Sequence, residues 1–196
     1  MKSLRQRTVP GLLLGLMVSF ATVVAEAREA RAAESAGAAP PCFDDLNRYV
    51  DCGNGTVTDT VTGLVWLRNA NCFGGSLFYA DANRAAAALA EGQCGLTDGS
   101  APGAWRLPTA RELNEMVRYA RKLGCSDPAL TDVAGTACFE ANPPFGGVKS
   151  AGYWSSSSVE SEPDDAFGLN LHHGFILSGG KGYDGPYYVW PVRAGR

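Results

Sequence analysis

The chain has 196 residues, with 17 Lys and Arg against 20 Asp and Glu, a formal charge of −3, 45% hydrophobic residues, 24 glycines, 11 prolines and six cysteines. This composition excludes a disordered or collagenous chain, and the mild acidity excludes the basic surface that non-specific nucleic-acid binding requires. The length suits one ordinary domain with appendages.

At the N-terminus Lys2, Arg5 and Arg7 precede an apolar run from Gly11 to Ala25 that closes on Ala25-Glu26-Ala27. Charged residues, an apolar stretch and a small-residue end predict a secretory signal peptide over 1–27. The run is about 15 residues, short of the roughly 20 that a transmembrane helix needs, so no membrane anchor is expected after cleavage. The first cysteine, Cys42, lies well beyond the run, which disfavours a lipoprotein. An exported protein, periplasmic or secreted, is the expectation. Residues 28–41 are Ala-rich and end on Pro40-Pro41, the pattern of a flexible leader, and the domain is expected over 42–196.

All six cysteines follow the signal segment, and an even count in an oxidising compartment favours full pairing. Six cysteines allow fifteen connectivities. The spacing suggests three local loops, Cys42–Cys52, Cys72–Cys94 and Cys125–Cys138. No CxxC or Cys-His spacing occurs, so structural disulfides are expected rather than zinc.

Gly55 to Asp59 and Gly63 to Leu67 are β-favouring runs joined by Thr60-Val61-Thr62, a predicted hairpin with Asn54-Gly55 as the turn before it. That turn accounts for the glycosylation-like triplet Asn54-Gly55-Thr56. A first helix is predicted over 77–91, with Phe78, Ala82, Ala85, Ala86 and Leu89 on one face and Gly92 as the stop. The second has stronger punctuation: Thr109 and Glu112 form an S/T-x-x-E capping box, and Leu113, Met116, Val117, Ala120 and Leu123 make an apolar stripe that ends at Gly124. The C-terminal third reads as strands at 153–157, 166–171, 174–177 and 187–193, with Pro191 placing the last at a sheet edge or at its own end. The expected fold class is α+β, two helices packed on a twisted antiparallel sheet, loop-rich and disulfide-stapled.

Six motifs in order carry a resemblance: Gly-Asn-Gly-Thr-Val-Thr-Asp-Thr-Val-Thr-Gly-Leu-Val-Trp (53–66), Asn-Ala-Asn-Cys-Phe-Gly (69–74), Cys-Gly-Leu-Thr-Asp-Gly-Ser (94–100), Trp-Arg-Leu-Pro-Thr (105–109), Tyr-Trp-Ser-Ser (153–156) and Tyr-Val-Trp-Pro-Val-Arg (188–193). From about residue 50 to 194 the chain resembles the family of the C-terminal domain of Legionella collagen-like protein. The resemblance implies a C-type-lectin-like fold in an exported protein, and its best-known relative is an adhesin that binds sulfated polysaccharide. This chain has no Gly-X-Y stalk and no basic excess. Arg106-Leu107-Pro108-Thr109 with Glu112 also resembles a segment of formylglycine-generating and sulfatase-modifying enzymes. Their chemistry depends on a reactive cysteine pair near the C-terminus, whereas the last cysteine here is Cys138.

Candidate binding residues fall into two groups. Glu162-Pro163-Asp164-Asp165 is similar to the Glu-Pro-Asn type of loop with which sugar-binding lectins hold calcium, but four residues supply only part of a calcium shell, so Asp184 or Asp98 would have to complete it. The plainer reading is a solvated acidic hairpin tip, and no cofactor is expected. Tyr183, Asp184, Tyr187 and Tyr188 lie in or beside the Gly-rich stretch 179–186, where exposure and mobility favour ligand contact. Structural roles are expected for Arg106 and Arg193, as clamps between elements, and for Trp66, Trp105, Trp154 and Trp190 as core. His172 and His173 are adjacent, so on a strand they point to opposite faces and form no chelating pair. Ser155 to Ser158 lack a nucleophile elbow, and no phosphate loop or dinucleotide fingerprint occurs. The expected function is a non-catalytic recognition or adhesion-type module that binds a glycan, protein or surface polymer through its loops. The alternatives are an oxidoreductase of the formylglycine-generating type and an envelope structural protein without a small ligand.

Overall fold

The computed structural model describes residues 38–182 and 185–195. The expected signal peptide, most of the expected leader, Tyr183 and Asp184 therefore lie outside the described residues. Among the described residues no helix is long and apolar enough to cross a membrane.

The hairpin after the Asn54-Gly55 turn forms as β2 (Thr56–Asp59) and β3 (Leu64–Leu67), antiparallel, with Val57 opposite Trp66. The preceding β1 (Tyr49–Asp51) is a strand that local sequence signals do not mark; it pairs with β2, Val50 opposite Thr58. Helix α1 covers Tyr79–Ala88, shorter at both ends than the apolar pattern. Its cap residue, Phe78, contributes no side-chain cap bond and is 46% exposed, so it does not join Ala82 and Ala86 on the buried face. Helix α2 (Ala110–Leu123) starts where the capping box requires: Thr109 Oγ1 accepts from the Glu112 amide, and Glu112 accepts from the Thr109 amide. Its buried stripe is Leu113, Met116, Val117 and Ala120, with Leu123 turned out, and Gly124 closes it in the left-handed region at φ 77°.

The C-terminal half supplies β4 (Gly152–Val159), β5 (Glu162–Asn170), β6 (Phe175–Gly180) and the short β7 (Val192–Ala194). The expectation of one sheet is corrected: β7 joins the first hairpin in a four-stranded sheet of order β1-β2-β3-β7, while β4-β5-β6 form a separate three-stranded sheet. The cause is the path of residues 187–194, which changes sheets. Tyr188 donates its amide to Gly152 O and accepts from the Trp154 amide at the edge of β4. Pro191 then passes between strands, its carbonyl accepting from the Leu67 amide, and Val192 pairs with Trp66 of β3 on one side and with Arg106 on the other. Pro191 is tolerated because the connection uses its carbonyl and asks no donor of it.

The β4–β5 ladder breaks within the serine run, where three residues of β4 (155–157) oppose Phe167 alone. Ser155 Oγ donates to Phe167 O at 2.7 Å, Ser156 donates its amide to Pro108 O, and Ser157 Oγ accepts from the Ala110 amide at the start of α2. Side-chain hydroxyls thus replace ladder bonds and dock the helix N-terminus on the sheet. Next to this bulge, Gly168 leaves room for the Tyr187 ring. A Cβ at 168 would stand 2.9 Å from both that ring and the Tyr153 carbonyl oxygen.

Trp66, Trp105, Trp154 and Trp190 are all buried. Trp190 meets Trp66 and Phe145 edge-on at centroid distances of 5.6 and 4.8 Å, and Trp154 lies 4.3 Å from Tyr187 in a second, smaller cluster. Helix α2 packs on β4, β5 and β6, and its residues Leu113, Met116 and Val117 share one hydrophobic cluster with Val57 and Val65 of the first sheet and Leu169 of the second. The disulfides Cys42–Cys52, Cys72–Cys94 and Cys125–Cys138 each close a local loop, and none of the six cysteines is free.

Candidate functional site

Where β1 ends, the chain turns through Cys52, Gly53, Asn54 and Gly55 into β2. Asn54 Oδ1 fixes this turn by accepting from the Thr56 amide and hydroxyl at 3.2 and 2.7 Å. Gly55, at φ 84°, lies against the loop that the Cys72–Cys94 disulfide ties down: a Cβ there would sit 2.4 Å from Gly95 O. Only glycine permits this approach. The Thr97 amide donates to Asn54 O and completes the junction.

Beside that junction is an open cleft of about 490 Å³. Backbone at Gly53, Gly55 and Gly95, together with Cys94, forms one wall, and Asp51, Arg68 and Asn69 form the other. Nothing within 4 Å would meet a Cβ at Gly53 or Gly95, so both glycines border open space. Asp51 Oδ2 accepts from Arg68 Nε at 2.7 Å, and Asp51 Oδ1 accepts from the Gly53 amide at 3.0 Å. Both partners of the pair are about half exposed. The Asn69 carboxamide oxygen accepts from the Asn71 amide at 3.0 Å. Local sequence signals mark none of Asp51, Arg68 and Asn69 as a binding residue, although Asn69 opens one of the six motifs that carry the family resemblance. Gly55 and Gly95 stand in recognisable turns, but their meeting depends on a contact between segments some 40 residues apart.

The sequence-predicted binding residues lie elsewhere and do not gather into one site. Glu162, Asp164 and Asp165 begin β5, after a tight turn at Glu160-Ser161, with Glu162 and Asp164 exposed. A cation already stands beside them: Lys181 Nζ donates to Ser158 Oγ at 2.8 Å and to the Pro163 carbonyl, and its amide donates to Asp164 O. Asp98 is engaged elsewhere: it is buried and faces Arg193 at 3.2 Å. Among the described residues no group of three or more His, Cys, Asp or Glu is placed to hold a metal ion. The expectation of free, mobile tyrosines is corrected for Tyr187 and Tyr188. Both are partly buried, Tyr187 on Gly152, Gly168 and Trp154, and Tyr188 against Tyr153, and their backbones pair with Leu77 and Gly152. Tyr183 and Asp184 lie outside the described residues.

The two arginines are clamps. Arg106 grips Glu112 with both terminal nitrogens, at 2.8 and 2.7 Å. Burial pushes the Glu112 carboxyl up, but the hydrogen bonds from Arg106 and from the Thr109 amide outweigh it, and the group sits below its ordinary value of 4.5. Arg193 bonds Ala39 O at 2.8 Å and pairs with Asp98, which accepts from the Ser100 hydroxyl; that hydroxyl in turn accepts from Trp105 Nε1 at 3.0 Å. A second buried pair, absent from the sequence reading, joins Arg48 to Asp59 through two hydrogen bonds at 3.2 and 3.0 Å. His172 receives both Ser150 Oγ and Asp127 Oδ1 at the same ring nitrogen, Nδ1, each at 3.3 Å. A nucleophile relay needs the two ring nitrogens to serve different partners, so this exposed trio does not have its geometry.

Among the described residues these features define a disulfide-stapled α+β domain of two α-helices and two antiparallel sheets, with a polar, glycine-bordered cleft at the end of the first sheet. The chain belongs to the Lcl C-terminal domain family, whose model matches residues 55–193. Among curated proteins none matches the chain.

Proposed function

We propose that this protein is an exported, non-catalytic recognition module of the adhesion type, built on a C-type-lectin-like scaffold, that binds a glycan, protein or surface polymer without covalent chemistry. The observation that carries the reading is the cleft beside the Cys72–Cys94 loop: it is open, polar and rigidly bordered, and five of its seven lining residues fall within the stretch matched by the family model. Binding sites of this kind need prearranged polar groups rather than a reactive centre. Three disulfides and no free thiol support export, and they leave no cysteine pair for the oxidative chemistry of formylglycine generation. Affinity per site is modest for such a shallow surface, and display in several copies would raise it.

The test is retention of the purified protein on arrays of glycans, extracellular-matrix proteins and bacterial surface polymers, with thiols counted in parallel under denaturing, non-reducing conditions. Saturable binding to a defined subset with no alkylatable thiol is expected. Two alkylatable cysteines together with turnover of a cysteine-containing peptide would overturn the reading in favour of the enzyme.

A further inference from the structure

Arg68 engages Asp51 through Nε alone. Its terminal nitrogens, Nη1 and Nη2, make no hydrogen bond among the described residues, and neither does the Asn69 side-chain nitrogen. The cleft therefore presents a fork of guanidinium donors and a carboxamide donor beside a carboxylate whose two oxygens each accept one bond and retain capacity for another. The side with glycines at 53 and 95 is open, so a ligand can approach the backbone without meeting a side chain.

The charge balance restricts the occupant. Among the described residues one guanidinium and one carboxylate line the cleft and no other charged residue does, so the site is close to neutral. An anionic group placed on the Arg68 fork would stand beside Asp51 and be repelled by it. An apolar ligand would find almost no apolar side chain to cover it, since the walls are glycine backbone and polar groups. A hydroxyl pair fits both halves, because each hydroxyl accepts from a guanidinium or carboxamide nitrogen and donates to a carboxylate oxygen. A volume of about 490 Å³ is in the range of small-ligand pockets.

We infer that the cleft bordered by Asp51, Arg68, Asn69 and Gly95 is a saccharide subsite that takes the vicinal diol of a neutral sugar, with Asp51 as acceptor and Arg68 and Asn69 as donors. This rests on the recognition reading above and specifies its ligand class. The Asp51 carboxylate acts here through its hydrogen bonds and needs no bridging calcium. The Cys72–Cys94 disulfide sets the position of Gly95, and with it the width of the cleft.

The experiment titrates the purified protein, with EDTA present, with methyl α-D-mannopyranoside, methyl β-D-galactopyranoside and myo-inositol, and compares neutral, sialylated and sulfated glycans on one array. Arg68→Gln and Asp51→Asn are made at half-exposed positions, with Asn69→Asp as a third variant that keeps the oxygen bonded to the Asn71 amide while removing the donors. Binding to neutral glycans is expected, weakened about tenfold or more by each variant at unchanged melting temperature, as loss of a hydrogen bond to a charged partner implies. Glu162→Gln is expected to bind as the wild type does. Retention only on sulfated or sialylated glycans, retention only on protein arrays, or neutral-sugar binding that is indifferent to all three variants would overturn the subsite while leaving a recognition function standing. No retention on any array would overturn both.

Discussion

Arg106 and Glu112 show how one side chain can carry two duties. The Glu112 carboxylate closes the capping box on the Thr109 amide and also receives both terminal nitrogens of Arg106, whose backbone pairs with Val192. It therefore ties helix α2 to the strand that links the sheets. A cap contributes about 1 kcal/mol and a partly exposed ion pair up to about 1 kcal/mol more, so Glu112→Ala is expected to cost about 1–2 kcal/mol in a thermal melt. Because the Glu112 pKa is held below 4.5 in the fold, its contribution is complete above that value and is lost as pH falls through the folded one. The melting difference between wild type and Glu112→Gln should accordingly shrink as the buffer is taken from neutral to about pH 3. The capping box and the structural role of Arg106 were readable in the sequence because both are local. Asp98 was not: as an acidic residue in a Gly-rich loop it reads as a cation ligand, and only the fold brings Arg193 to it from the far end of the chain.

At the scale of elements, the sequence and the structure agree where the signal is periodic and diverge where it is not. Helix α2 carries its cap, its stripe and its stop in one window. Helix α1 has no side-chain cap and a run of alanines, so its ends follow packing rather than pattern, and Phe78 turns outward. The serine run of β4 had no periodic reading, because its serines serve a bulge whose partners, Pro108, Ala110 and Phe167, belong to other segments. Tyr187 and Tyr188 illustrate the same limit. Flanking glycines suggested exposure, yet Gly152 and Gly168, remote in sequence, provide the bed on which the Tyr187 ring lies. Gly168→Ala is expected to destabilise by about 1–3 kcal/mol in denaturant titration, the usual cost of overpacking. The double variant Gly168→Ala with Tyr187→Ala should not restore wild-type stability, because the added methyl still meets the Tyr153 carbonyl.

For the whole molecule, the α+β class and the family were legible, but the division into two sheets was not. Nothing in residues 187–193 marks where a strand leaves one sheet and enters another; that follows from the competing edges of β3 and β4. The cleft was hidden for a related reason. Its walls come from the β1–β2 turn, the end of β3 and the Cys72–Cys94 loop, each plain on its own, and they are joined only by the Gly55–Gly95 approach and the disulfide. Acidic and aromatic side chains drew the sequence reading toward Glu162–Asp165 and the tyrosines, whereas the structure points to a pocket made largely of backbone. The two locations make different demands of a bound ligand. Amide proton–nitrogen correlation spectra recorded while a neutral methyl glycoside is titrated into the protein distinguish them most directly. Saturable shifts confined to Gly53, Gly55, Arg68, Asn69, Cys94 and Gly95 are expected, and shifts centred instead on residues 160–165 or 181–188 would contradict the account.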